Sequence, residues 1–311
     1  MKIITIQHNY KEYFQEIDED KKNICLITGI KLVDRSSENI FNDMLKRYNP
    51  IMSFVIYDNE NINPNNAENV QYYINDKRGN SVFVRILLNY LSESKNSINK
   101  CLIDASAINK ETLLEIMYIL EQFLSIEIGI IYLTPEDYGN YQYDSYKVPY
   151  SMSFSPGIQL MGKKNILVLL SGYEGLGEIA LTRYIEPSVL YIGIAEPSSE
   201  EQFFRENKKN KEKVIAEFSK YEGIEIKDFI YSGNNITQCT EDILKLFKEN
   251  KELSDCNLFI APMNNKLTTL AVFNIWRDNQ NIQIVDIRGT KKIGSKDESG
   301  VGSLYYSKYE R

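Results

Sequence analysis

Two polar loops in the second half of the sequence carry groups that suit the binding of an anion. The loop at residues 171–177 (SGYEGLG) lies between an apolar run and a helical pattern, so its N–H groups fall at a helix N-terminus, where phosphate and carboxylate groups bind. The loop at residues 262–269 (PMNNKLTT) adds a lysine, two amides and two hydroxyls at a second helix start. We therefore predict a site for a small anionic ligand, with the second loop as the better equipped of the two.

The candidate ligand-binding residues come from these loops and from the end of an intervening strand. They are Gly172, Tyr173, Glu174, Gly175, Glu196, Asn264, Asn265, Lys266, Thr268 and Thr269. Glu174 would repel a phosphate, so we expect it to contact a sugar hydroxyl or a base. Glu196 follows a strand, at a position where an acidic residue commonly accepts hydrogen bonds from ribose, although a plain strand-end carboxylate fits equally well.

The glycines of residues 172–177 do not follow a known cofactor motif. Their spacing is G-x-x-G-x-G, whereas dinucleotide-binding loops have G-x-G-x-x-G, and the loop is no Walker A sequence. A tight turn from strand to helix explains the glycines equally well. We predict no cofactor, and Mg²⁺ only if the site carries out phosphate chemistry. If the protein is an enzyme, Glu174 and Glu196 are the candidate catalytic acid/base residues.

Residue counts argue against several kinds of catalytic and metal site. His8 is the only histidine. This count argues against a Ser-His-Asp or Cys-His catalytic arrangement and against a histidine-rich metal site. The four cysteines include no CxxC pair, and we expect them to be buried and reduced in a cytoplasmic protein. No metal site is predicted.

Charge and hydrophobicity narrow the range of partners. The net charge is −7 and the pI is about 5.1, and such a chain binds duplex nucleic acid poorly because the phosphate backbone requires a basic surface. No apolar run is long enough to span a bilayer, and the N-terminus does not resemble a signal peptide. We expect a cytoplasmic protein without membrane contact, and a protein partner besides the small ligand is compatible with these features.

Apolar strand-like runs alternate with helical patterns along both halves of the chain. Residues 165–197 show a strand, a glycine-bearing turn, a helix and a second strand, which is the βαβ pattern of a parallel sheet. The predicted fold class is α/β, with two Rossmann-like halves of mainly parallel strands flanked by helices. We place the first domain at residues 1–140, a linker at 141–161 and the second domain at 162–311, with a flexible flap or surface arm as its tail.

The two halves share a pattern that predicts an internal duplication. Residues 100–120 and 256–276 both contain an apolar strand, small residues, an Asn-Lys pair and a helix. Residues 25–58 and 168–196 both contain a strand, a glycine just past it, a helix that proline ends, and a strand that closes on an acidic residue.

The loop that contains Asn264 and Asn265 resembles the strand-to-helix loop of CARF-type Rossmann-like nucleotide-sensing proteins. In that family a Thr/Asn-Gly-Gly-Thr-Lys-like turn after a buried strand holds the ligand backbone. The resemblance is confined to residues 256–286, and Asn264 and Asn265 replace the paired glycines. It implies a nucleotide ligand and a role as a sensor.

Three functions fit the sequence. The first is a nucleotide- or phosphate-ligand-binding sensor or adaptor in a bacterial regulatory or defence system, because anion-binding loops occur without an assembled catalytic group. The second is a Rossmann-like enzyme that acts on a nucleoside, sugar or phosphoester, with Glu174 or Glu196 as acid/base. The third is a protein-interaction scaffold whose crevice is not used.

Overall fold

The chain forms two compact units, each with its own sheet. The first consists of Met1–Gly139 and Asp297–Arg311, and the second of Asn140–Lys296. The computed structural model describes residues 2–8, 23–30, 35–57, 69–74, 81–94, 97–123, 125–135, 142–157, 159–173, 175–199, 201–290, 292–293 and 302–310.

Strands and helices alternate through most of these ranges. The strands are β1 (Lys2–His8), β2 (Ile24–Ile30), β3 (Met52–Tyr57), β4 (Val70–Ile74), β5 (Lys100–Asp104), β6 (Glu127–Leu133), β7 (Gln142–Tyr143), β8 (Tyr150–Ser151), β9 (Asn165–Leu170), β10 (Val189–Ala195), β11 (Glu225–Tyr231), β12 (Asn257–Pro262), β13 (Gln283–Asp286), β14 (Lys292–Ile293) and β15 (Leu304–Glu310). The α-helices are α1 (Arg35–Tyr48), α2 (Ser81–Ser94), α3 (Lys110–Leu120), α4 (Gly175–Ile185), α5 (Glu201–Phe218), α6 (Ile236–Glu249) and α7 (Lys266–Asp278).

The first unit contains a seven-stranded sheet with the order β1-β15-β6-β5-β2-β3-β4. The five strands β2 to β6 run parallel to one another, and β15 pairs antiparallel with both β1 and β6. The apolar run of β2 is buried on both faces, since Leu26 and its neighbours Cys25 and Ile27 have no exposed surface. A continuous apolar run is what a strand in the middle of a helix-covered parallel sheet requires.

The predicted position of the C-terminal tail is wrong. Residues 304–310 do not form a flap on the second half but lie between two strands of the first unit's sheet. Leu304 packs into the core of that unit beside Leu26 and Leu133, and Tyr305 and Tyr309 are also buried. The Gly-, Ser- and Lys-rich residues before the strand hid this seven-residue aromatic segment in the sequence.

The second unit contains a six-stranded sheet with the order β11-β10-β9-β12-β13-β8, and β7 and β14 form a separate pair. The first five strands in this order are parallel, while β8 runs antiparallel to β13. The segment predicted as a linker, residues 141–161, therefore contributes an edge strand to this sheet. Hydrogen bonds from the Met152 N–H to the Ile284 carbonyl and from the Ser155 hydroxyl to the Ile282 carbonyl hold it there.

Both units contain the same parallel core, which confirms the predicted fold class. The order β6-β5-β2-β3-β4 in the first corresponds to β13-β12-β9-β10-β11 in the second. In each core the first strand in the sequence, β2 or β9, is the central one. Strand order therefore reverses between the first and fourth strands of the core. Ligands of such sheets bind beyond the carboxyl ends of the strands at that point. None of the helices in the described ranges is long and apolar enough to cross a membrane.

Equivalent residues occupy equivalent positions at the two reversal points. A Cβ atom added at Gly29 would lie 2.6 Å from the Ile108 nitrogen, and one at Gly172 would lie 2.0 Å from the Met263 carbonyl oxygen. At the next helix start, Asn109 accepts a hydrogen bond from the Thr112 N–H, just as Asn265 accepts one from the Thr268 N–H, at 2.8 and 3.0 Å. The units thus repeat one structural plan, which supports the predicted duplication.

Candidate functional site

The candidate site lies where strand order reverses in the second unit, between β9 and β12. The loops that follow these two strands contain most of the predicted ligand-binding residues, and the fold brings them into contact. Gly172 makes the contact close, because only the absence of a Cβ lets its backbone meet the Met263 carbonyl.

Asn264 joins three strand ends through its side-chain amide. Its Nδ2 donates to the Ser171 carbonyl at 2.8 Å and to the Tyr231 hydroxyl at 3.0 Å. Its Oδ1 accepts from the Asn265 N–H at 2.7 Å and from the Tyr173 hydroxyl at 3.3 Å. These partners belong to the ends of β9, β11 and β12, so the Asn264 side chain links the three strand ends by hydrogen bonds.

Asn265 and the two threonines organise the start of α7. Asn265 caps the helix through Thr268 N–H, and its Nδ2 donates to the Gly233 carbonyl at 2.7 Å. The hydroxyls of Thr268 and Thr269 donate to the Asn265 carbonyl at 2.8 and 3.0 Å. These three side chains are buried and engaged within the protein, as is that of Asn264. The partly exposed Lys266 is the residue of this loop best placed to meet a ligand directly.

The glycine loop, residues 171–173 and 175–177 in the described chain, already holds a carboxyl group that belongs to the protein. The buried carboxylate of Glu178, in the first turn of α4, accepts the Gly172 N–H at 2.6 Å and the Ser171 hydroxyl at 2.9 Å. A negative side chain is favourable at a helix N-terminus. A phosphate could use the Gly172 N–H only after displacing this carboxylate. Sequence reasoning missed Glu178, and its only signal was an acidic residue in the first turn after a glycine-bearing loop.

The remaining predicted residues are placed around this loop. The Tyr173 ring packs on the Phe203 ring with centroids 4.9 Å apart, and Gly175 begins α4 beside Asn210. Glu196 is exposed just after β10, and its N–H donates to the Tyr231 carbonyl at 2.8 Å. Glu174, both a ligand and an acid/base candidate, lies outside the described residues.

Burial keeps the Tyr231 phenol neutral. Desolvation raises its pKa well above the ordinary value, and the nearby Cys239 thiol adds to the effect. The hydroxyl therefore remains protonated and available for hydrogen bonding to Asn264 and to the Ser171 carbonyl. Its role in the site is structural: it ties the end of β11 to the two loops at the reversal point.

A segment before β8 covers one side of the glycine loop. Residues 145–147 run along residues 288–290, with hydrogen bonds from the Lys147 N–H to the Arg288 carbonyl and from the Thr290 N–H to the Ser145 carbonyl. The Tyr146 ring lies 2.9 Å from the position that a Cβ of Gly177 would occupy. The start of α4 is therefore covered on this side by an aromatic ring.

The thiols are poorly suited to nucleophilic chemistry. A hydrogen bond with Cys101 and burial raise the pKa of Cys25, and burial raises that of Cys239 and raises that of Cys256 to about 11. We expect native protein at pH 8 to react with a thiol reagent such as DTNB at least about tenfold more slowly than a free cysteine, since the thiolate is the nucleophile. In denaturant all four thiols should react quickly. Rapid labelling of a thiol in the native state would contradict this expectation.

Comparisons with known proteins add no functional assignment. No protein-family profile matches the chain, and no curated protein matches its sequence. Among solved structures, a functionally unknown protein from Pseudomonas aeruginosa PAO1 matches 88% of this chain and 93% of its own, at 7% identity and a TM-score of 0.25. A similarity at this level supports no inference about function, which must come from the geometry of the site.

Proposed function

We propose that the protein is a nucleotide- or phosphate-ligand-binding sensor or adaptor, and that the ligand binds at the carboxyl edge of the second unit's sheet. The observation that supports this most is the bonding of Asn264 to groups at the ends of β9, β11 and β12. A buried polar network of this kind is costly unless it is fully satisfied, and it joins the loops from which α4 and α7 begin. Ligand contact at one loop would therefore be transmitted to the others, as a sensor requires.

The ligand's anionic group is best accommodated at α7 rather than at the glycine loop. The Glu178 carboxyl group already accepts the hydrogen bond of the Gly172 N–H. Lys266, in contrast, is partly exposed at the positive end of the α7 dipole. Such a charge-assisted contact holds phosphate without requiring glycines in the turn. A lysine-based anion site is therefore compatible with the presence of Asn264 and Asn265 where the CARF-type loop has paired glycines.

A thermal-shift experiment with nucleoside mono-, di- and triphosphates tests this proposal. At ligand concentrations about 100 times Kd, the stabilisation is about 2.7 kcal/mol, which corresponds to a rise in Tm of about 5–10 °C for a unit of this size. Lys266→Ala should weaken binding about tenfold or more and roughly halve the shift at the same concentration.

Lys220→Ala provides a matched control. Lys220 is an exposed lysine between α5 and β11, at the opposite, amino edge of the sheet. Its removal should leave the ligand-induced shift unchanged. Unchanged melting of the wild-type protein across the whole nucleotide panel would contradict the proposed function.

A further inference from the structure

A fully buried asparagine in the second unit has no hydrogen-bond partner among the residues that the structure describes. Asn207 lies in α5 with none of its surface exposed, and neither its Nδ2 nor its Oδ1 is hydrogen-bonded. Buried amides are nearly always paired, and an unpaired one destabilises the folded state. Beside a candidate ligand site, such a group is a candidate partner for a ligand.

Helical spacing places Asn207 on the face of α5 that meets the glycine loop. Phe203, one turn earlier, packs on the Tyr173 ring, and Asn210, one turn later, donates to the Gly172 carbonyl at 3.3 Å. Residues three and four apart share one face of a helix, so Asn207 lies between these two contacts. It is therefore next to the loop that includes Tyr173 and Gly172.

The chemistry of this face matches the base of a nucleotide. A side-chain amide presents a donor and an acceptor side by side, and it pairs in bidentate fashion with the edge of a base. Aromatic rings such as that of Phe203 stack on bases of any type. The Tyr173 ring packs against the Phe203 ring, and its hydroxyl donates to the Asn264 Oδ1 at 3.3 Å.

We propose that α5 and the glycine loop form a nucleobase subsite, in which the base replaces the Tyr173 ring on Phe203 and pairs with the Asn207 amide. This inference rests on the proposed function, because it assigns a position to one part of the same ligand. Displacement of Tyr173 breaks its bond to the Oδ1 of Asn264. Binding of a base in the subsite thereby changes the hydrogen bonds of Asn264, which links the ends of β9, β11 and β12.

Calorimetric titrations with the four nucleoside 5′-monophosphates and with ribose 5-phosphate test the subsite. We expect at least one nucleotide to bind wild-type protein about tenfold or more tightly than ribose 5-phosphate. In Asn207→Leu this preference should fall about fivefold or more, because the pairing is lost while stacking on Phe203 remains, and the affinity for ribose 5-phosphate should stay unchanged. Asn207→Leu should melt no lower than wild type without ligand, since the substitution removes an unpaired buried amide. Asn207→Ala repeats the test if leucine does not fit.

Asn274→Leu is the matched control. Asn274 is a buried asparagine in α7 whose amide is also unpaired. Its replacement should preserve the preference for nucleotide over ribose 5-phosphate. A preference that is undiminished in Asn207→Leu, or equal binding of both ligands by wild type, overturns the nucleobase subsite and leaves the proposed function standing. Failure of wild type to bind any of these ligands overturns both.

Discussion

Replacement of Gly172 by alanine is expected to destabilise the second unit by about 3 kcal/mol or more. The added Cβ would lie 2.0 Å from the Met263 carbonyl oxygen, and backbone atoms on both sides leave no flexible side chain to move aside. The loops after β9 and β12 would have to separate, and the hydrogen bond from Asn264 to the Ser171 carbonyl would lengthen or break.

Urea unfolding followed by tryptophan fluorescence measures this effect, because the single tryptophan, Trp276, lies in α7 of the second unit. With an m-value of about 1–3 kcal/mol/M, the midpoint should fall by about 1–3 M. Gly175→Ala is the control. The nearest atom to a Cβ there is the Asn210 Oδ1, a side-chain atom 3.2 Å away, so a change within about 1 kcal/mol is expected. Equal midpoints for Gly172→Ala and wild type would show that the close approach is not required.

Removal of the Glu178 carboxylate is the second substitution with a large expected effect. Glu178→Ala leaves the buried Gly172 N–H and Ser171 hydroxyl without an acceptor, and each unmet bond costs about 1–3 kcal/mol. We expect a loss of about 3 kcal/mol in the free energy of unfolding. Glu178→Gln keeps one acceptor oxygen and should lose about half as much.

The same fluorescence measurement on a control variant separates the loss of these hydrogen bonds from the general effect of removing a glutamate. Glu206→Ala, on the exposed surface of α5, removes an ion pair with Lys209 and should change stability by less than about 0.5 kcal/mol. If Glu178→Ala behaved like Glu206→Ala, the carboxylate would not be what holds the glycine loop. The inference that the Glu178 carboxyl group holds this loop in place would then fail.

The parallel cores of both units were predictable because buried strands and their connecting helices leave strong local patterns. The apolar run of β9, the glycine turn and the start of α4 follow one another in the sequence. The strands β8 and β15 were not predictable in this way. Each is short or follows a polar, glycine-rich stretch, and its partners β13, β1 and β6 are remote in the chain. Only tertiary pairing makes such segments strands.

The site was predictable in its position but not in the direction of its side chains. The residues from Asn264 to Thr269 lie at the start of α7 as the helical pattern indicated, yet Asn264, Asn265, Thr268 and Thr269 all point inward. An amide that binds a ligand and one that caps a helix are the same residue type in a sequence. The partner Glu178, and the unpaired amide of Asn207, emerge only when α4 and α5 are packed on the loop.

The position of β15 has a consequence for the order in which the chain acquires structure during synthesis. The first unit's sheet needs residues 304–310 between β1 and β6, so the ribosome must translate the whole of Asn140–Lys296 before that sheet can close. Domains generally fold as units as they emerge. The strands of the second unit all lie within one continuous stretch. This unit can therefore fold while the sheet of the first unit still lacks β15. During that interval the β6 edge remains exposed as a template for wrong pairing.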